Sequence, residues 1–263
     1  MRHSEATVSP IVEAWTTYRT SNAAQWTVPR LLKAKKATTV SVVIPARDEE
    51  DLLPLCLDSV RVAEAELALA RPDVVCEVIV VLDLCTDATA EVATARGARV
   101  VSSPHGRVGA ARALGVRTVL AGLDPSGLWV ANTDADTVVP AHWLVRQAEL
   151  AEAGHDLVTG TVEPRFADED PDLLARWHAR HVLADGHPYI HAANLGIRGS
   201  VYERLGGFEA VATHEDRRLV TRAAEAGIVV TATDAIRVRT SSRLVARAPD
   251  GFASYLRKLA PPA

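Results

Sequence analysis

From Val40 onward the chain alternates short β-branched apolar runs with stretches whose apolar residues recur at helical spacing, and this alternation narrows the choice of fold more than any other feature. TVSVVIP, ended by Pro45, reads as a strand covered on both faces, and EEDLLPLCLDSVRVAEAELALA as the helix that follows it. CEVIVVLD and ARVVSS read as the second and third strands, with DATAEVATARG between them as a short helix stopped by glycine. RVGAARALGVRTVLAG is a third helix, GLWVANTD a fourth strand, and PAHWLVRQAELAEAG a fourth helix with Pro140 in its first turn. Such regular alternation over short links predicts right-handed βαβ units in an α/β fold of Rossmann type: a doubly wound, mostly parallel sheet with helices on both faces. Ligands of such sheets sit beyond the carboxyl ends of the strands, so the polar residues there are the candidates for chemistry.

Composition closes off several classes. The chain has 263 residues and is 48% hydrophobic, enough for a large aliphatic core, and its net charge of -4 argues against a general nucleic-acid binder. Cys56, Cys76 and Cys85 are odd in number and lack C-x-x-C spacing, so neither a disulfide framework nor a cysteine zinc site is expected, and a reducing cytoplasm fits. No apolar run approaches the roughly 18 residues of a membrane span, and the N-terminus lacks a signal-peptide layout. Residues 1–37, with scattered Trp15, Tyr18 and Trp26 and the basic Lys33, Lys35 and Lys36, read as a partly helical arm ahead of a single domain over 38–263. Peripheral contact with a membrane surface stays compatible with that arm.

Three strand ends deliver acids: PARDEE after the first, LDLCTDAT after the second and NTDAD after the fourth. Clustered carboxylates repel one another unless a cation or a hydrogen-bonding ligand lies between them. Asp48, Asp51 and Asp87 are equally well placed to cap helices. Asp134 and Asp136 are not, because Val138 and Val139 separate them from the helix expected at Pro140. In an extended segment residues i and i+2 share a side, so both carboxylates are expected to face one ligand, and hard oxygen donors suit Mg²⁺ or Mn²⁺.

With these motifs in order, the chain resembles a family 2 glycosyltransferase of the GT-A fold from about Val40 to about Gly227. VSVVIPARDEEDLLPLCLDSV is similar to the family's opening strand and P-A-x-N-E-E turn, with Asp48 in the asparagine's place. VLDLCTDATAEVA resembles its D-D-x-S-x-D-x-T segment, with Leu82 and Cys85 as departures, and GRVGAARALGV its G-x-x-x-A-R-N-x-G, with Ala113 for asparagine. NTDAD resembles the metal motif, and HAANLGIRGSVYERLGGFEAVATHEDRRLVTRAAEAG the acceptor-side stretch with G-G-F and E-D.

The resemblance implies roles. Pro45, Ala46, Glu50 and Asp83 line the nucleotide pocket, Asp83 toward the base; Arg107 or Arg112 lies near the nucleotide or its phosphates; Asp136 holds the metal and Asp134 assists. Asp216 matches the catalytic base and Glu215 supports it, which implies direct displacement with inversion. It further implies a nucleotide-binding half over 38–140 and an acceptor half with a closing segment over 141–263. Read from the residues alone, Glu215 and Asp216 also fit the first turn of a helix capped by Thr213.

After Gly227 a strand, a basic hydroxyl-rich turn and a closing helix are expected, with Arg239, Ser241, Ser242 and Arg243 suited to phosphate oxygens. His178, His181, His187 and His191 crowd one segment, the first two expected on one helical face; no H-E-x-x-H accompanies them, and His191, Asn194 and His214 are better suited to contact an acceptor. The expected activity is metal-dependent transfer of a sugar from a UDP- or GDP-linked donor to a hydroxyl. The rivals are a sugar nucleotidyltransferase, which would place a G-x-G-x-x-basic loop after the first strand, and a non-catalytic nucleotide-sugar-binding relative.

Overall fold

The computed structural model describes residues 36–165, 170–244 and 252–259. The chain divides into two units, Met1–Lys33 and Ala34–Ala263, and every described residue belongs to the second. The expected arm therefore lies outside the described residues, except for Lys36 and Ala37.

The first half follows the alternation read from the sequence: β1 (Thr39–Ala46), α1 (Leu53–Ala70), β2 (Val75–Asp83), α2 (Thr89–Ala95), β3 (Arg99–Ser103), α3 (Val108–Leu120) and β4 (Leu128–Asn132). A two-residue β5 (Thr137–Val138) and α4 (Trp143–Glu152) come next. The second half adds β6 (Leu157–Pro164), α5 (Pro171–His178), a 3-10 turn (Ala192–Asn194), β7 (Leu195–Arg198), α6 (Gly199–Arg204), α7 (Glu215–Glu225), β8 (Val230–Thr240) and α8 (Phe252–Leu259). Pro140 does not open α4: it turns the chain by accepting from the Trp143 N–H, and the helix starts at Trp143.

The eight strands form one sheet in the order β3-β2-β1-β4-β7-β6-β8-β5. β1 pairs in parallel with β2 and β4, β2 with β3, and β6 with β8; β7 runs antiparallel between β4 and β6, and β5 antiparallel to β8. Two reversals through β7 cancel, so β8 runs in the same direction as β1 and β4. The carboxyl ends of β1, β2, β4 and β8 consequently share one edge.

Both faces of the central strands are covered, which explains their unbroken apolar runs. Val40, Val42, Ile44 and Ala46 of β1 join Leu53, Leu57 and Val60 of α1 and Trp143 and Leu144 of α4 in the main core. Val43 turns to the other face, where α3 sits so close that a Cβ on Gly115 would lie 2.6 Å from Val43 Cγ1. A smaller cluster joins Leu173 and Trp177 of α5 to Leu256 and Leu259 of α8. Among the described residues no helix is long and apolar enough to cross a membrane.

Candidate active site

The polar ends of β1, β4 and β8 meet around Asp136. After β4 the chain turns at once, with the Thr137 N–H donating to the Asp134 carbonyl at 3.1 Å. This turn overrides the extended geometry expected for NTDAD, so the i, i+2 alternation is lost and the two carboxylates have different partners. Asp134 accepts from Arg112 Nη2 of α3. Asp136 accepts from the Thr240 hydroxyl at 3.1 Å, and its Oδ2 lies 3.1 Å from Arg243 Nη2. The Ser241 N–H donates to the Asp136 carbonyl at 3.1 Å and ties the end of β8 to the same turn.

Burial, with the Asp134 charge adding to it, pushes the Asp136 carboxyl up to about 6, against the pull of Arg243. The site thus favours whatever supplies further positive charge. Glu49 adds another acid: it is 6% exposed and accepts both ends of the Arg243 guanidinium, at 2.9 and 3.0 Å. Thr133 Oγ1, adjacent to Asp134 in the chain, is buried without a hydrogen-bond partner among the described residues. The carboxylate oxygens of Asp136 and Asp134 are hard donors of the kind that suit a divalent cation, whose charge would favour the ionised form of Asp136.

Arg112, expected with Arg107 near the nucleotide or its phosphates, bonds Asp134 and is buried. Its side chain is 2% exposed, and the guanidinium is consumed inside the fold by Asp134, by the Thr133 carbonyl (3.3 Å) and by Glu215 Oε1 (3.2 Å). It is a buried counter-ion that joins the Asp134 turn to α7. Burial raises the Glu215 pKa, with the Asp216 charge adding and Arg112 opposing. Asp216, half-buried, accepts from the Ala192 N–H at 2.9 Å and from the Arg217 N–H at 2.7 Å. The residue before them, His214, adopts φ 65° at the N-cap, so the helix is not capped by the Thr213 side chain. His191 is held neutral, pushed down to about 4 by burial, with the Asp216 charge partly offsetting this.

Other expected residues are placed as follows. Asp83 is buried at the end of β2; its Oδ1 accepts from the Ser103 hydroxyl (2.8 Å) and the Gly106 N–H (2.9 Å), while Oδ2 has no partner among the described residues. Pro45 and Ala46 end β1, beside the turn in which Glu50 accepts from the Ala88 N–H at 2.8 Å. Glu50 therefore braces two loops, and its neighbour Glu49, which the sequence suited to capping or solvation, reaches the Asp136 site through Arg243. Asn194 is fully buried: Trp143 Nε1 donates to its Oδ1, and its Nδ2 donates to the Thr161 and Ile236 carbonyls. With its amide engaged inside the fold it is unavailable to an acceptor, which corrects that expectation.

Arg107 follows Gly106, whose N–H donates to Asp83. Its Nη1 donates to the Ala210 carbonyl at 3.2 Å, and it lines a cavity of about 510 Å³ that includes none of the acids above. α5 ends at His178, so His181 does not share a helical face with it; His181 stacks on Trp177, with ring centroids 4.0 Å apart. His178 Nε2 lies 3.2 Å from Glu163 Oε1, and His187 bonds the Thr159 carbonyl. Asp48, Cys85 and Asp87 also approach one another closely enough for a cation. Asp48 instead accepts from the Thr86 N–H and Asp87 from the Thr89 N–H, so these acids order the loop before α2.

Comparison with known proteins bears on the family and the fold. The model of the family described as glycosyl transferase family 2 matches residues 41–206, more than half of the chain. A curated relative, glucosyl-3-phosphoglycerate synthase of Mycolicibacterium paratuberculosis, is 41% identical over 91 residues, which span 34% of this chain and only 25% of that protein. Among solved structures, S. aureus TarS 1-349 in complex with UDP-GlcNAc aligns with a TM-score of 0.59 at 15% identity, over 81% of this chain and 61% of that one. Mannosyltransferase PcManGT from Pyrobaculum calidifontis, in complex with GDP-Man and Mn²⁺, gives 0.58 at 20% identity, over 95% and 68%. Glucosyl-3-phosphoglycerate synthase from Mycobacterium tuberculosis, with Mn²⁺, UDP and glucosyl-3-phosphoglycerate, gives 0.50 at 19%, over 92% and 77%. At these identities the structural matches establish a shared GT-A fold.

Proposed function

Because the chain belongs to glycosyl transferase family 2, we propose that it moves a sugar from a nucleotide donor to a hydroxyl acceptor, with inversion at the anomeric carbon. The observation that carries this reading is the electrostatic state of Asp136: a buried carboxyl beside Asp134 and Glu49, balanced by Arg243 at the meeting of β1, β4 and β8. Asp136, with help from Asp134, would hold a divalent ion, Mg²⁺ or Mn²⁺, whose chemistry when bound would be to offer positive charge to a departing diphosphate. Arg243, the guanidinium already against Asp136, adds a second positive charge at that place. The UDP and GDP ligands of the structural neighbours motivate a UDP- or GDP-linked donor.

Asp83, through its free Oδ2, is the contact for the base, with Pro45 and Ala46 beside it. Asp216 accepts the proton of the attacking hydroxyl; its two backbone hydrogen bonds fix its orientation and leave lone pairs for that proton. His191 stays neutral at physiological pH and so contributes a hydrogen bond to the acceptor rather than charge, with His214 exposed at the start of α7. Glu215 holds Arg112, and through it Asp134, in register with the base.

The test is Asp216→Asn. Donor binding in the presence of metal should survive, while transfer falls by at least about 100-fold, the scale of a positioned general base. NMR of the product's anomeric carbon checks inversion. Transfer at an undiminished rate, or retained configuration, refutes the assignment of the base.

A further inference from the structure

Helix α3 presents different residues to the acid cluster and to a cavity on another side. Arg112 points into the fold toward Asp134 and Glu215. Ala110, Ala113 and Arg117, spaced three and four residues apart, share another face, and Arg112, two residues from Ala110, falls about 200° round the helix from it. That other face forms one wall of the cavity of about 510 Å³, whose remaining walls include His105, Arg107 and Phe208. Its lining contains three basic residues and no acid, in a chain whose net charge is -4. Arg117 makes no ion pair or side-chain hydrogen bond among the described residues. Glu209, the acid next to Phe208, is taken by Arg218 and Arg222.

We propose that this cavity binds a small phosphomonoester at a site separate from that of the donor. A phosphomonoester carries nearly two negative charges at neutral pH, which matches two fixed guanidinium charges better than a single carboxylate does. Arginine forks fit its oxygens in bidentate fashion. Phe208, Ala110 and Ala113 give the carbon skeleton an apolar floor. None of Glu49, Asp134, Asp136, Glu215 and Asp216 lines the cavity, and α3 packs tightly on the loop after Phe208, a Cβ at Gly109 lying 2.1 Å from the Glu209 carbonyl. The same loop leads along the chain to His214 and Asp216.

The experiment titrates the full chain with glucose 6-phosphate and with glucose by calorimetry, without donor and then with saturating UDP and Mn²⁺. Expected is saturable binding of the ester alone, unchanged by UDP and Mn²⁺, and weakened at least 10-fold in Arg117→Gln while that variant's UDP affinity and thermal midpoint hold. Arg107→Gln combined with Arg117→Gln should abolish it. The proposal is overturned if the ester does not bind saturably, binds Arg117→Gln equally well, or is displaced by UDP and Mn²⁺. Because the readout is ester binding, its failure leaves sugar transfer untouched, and failure of sugar transfer leaves the cavity to be judged on the titration.

Discussion

Replacing Arg112 with methionine isolates the electrostatics that hold the site together. The side chain is 2% exposed and its guanidinium serves Asp134, Glu215 and the Thr133 carbonyl at once. Methionine conserves much of the volume but leaves Glu215, itself 6% exposed at the side chain, without its counter-charge. Removing one partner of a buried ion pair costs about 3–5 kcal/mol, because the remaining charge stays desolvated. The sign with pH follows from Glu215: burial already raises its pKa, and loss of Arg112 raises it further. A carboxyl whose folded pKa lies above its unfolded value loses stability as pH rises and regains it below the unfolded value, about 4.3. Urea unfolding should therefore show the full loss at pH 8 and a smaller one at pH 5. Adding Glu215→Gln to Arg112→Met should recover a large part of the loss at pH 8, as expected for residues in one network. A loss below about 1 kcal/mol at pH 8, or one that is flat between pH 5 and 8, contradicts the assignment of Arg112 as an indispensable buried counter-ion.

Two further variants test neighbouring claims. Asp136→Asn removes a carboxyl held near 6, so without metal it should stabilise the fold by about 1–3 kcal/mol at pH 8 relative to the parent, a gain that vanishes below about pH 4; Mn²⁺ should then raise the parent's melting temperature and leave the variant's unmoved. Gly109→Ala places a Cβ 2.1 Å from the Glu209 carbonyl, so it should cost about 1–3 kcal/mol in unfolding and lower transfer by displacing the loop that leads to Asp216.

How far the sequence carried the structure can be judged residue by residue. The βαβ series of the first half was legible because each strand there is buried on both faces and each helix leaves a periodic apolar stripe. β7 was not: four residues, LGIR, inserted antiparallel between β4 and β6, owe their place to partners from distant parts of the chain. The position of Asp134 and Asp136 was legible and their geometry was not, since one hydrogen bond from the Thr137 N–H converts an extended segment into a turn. Glu49 and Glu50 are indistinguishable in sequence; what sets the first apart is its bond to Arg243, 194 residues away. Arg112 and Asn194 show the same limit, because both are polar residues whose partners lie on other elements and fill the interior.

The central claim, that a carboxylate site built on Asp136 supports sugar transfer from a nucleotide donor, is most directly tested by one measurement. The full chain is incubated with a panel of UDP-, GDP- and TDP-sugars, with Mg²⁺, with Mn²⁺ or with chelator, and release of nucleoside diphosphate is followed. Release is expected from at least one donor, requiring the metal and disappearing in Asp136→Ala. Release that is indifferent to metal, or that persists in Asp136→Ala, would contradict it.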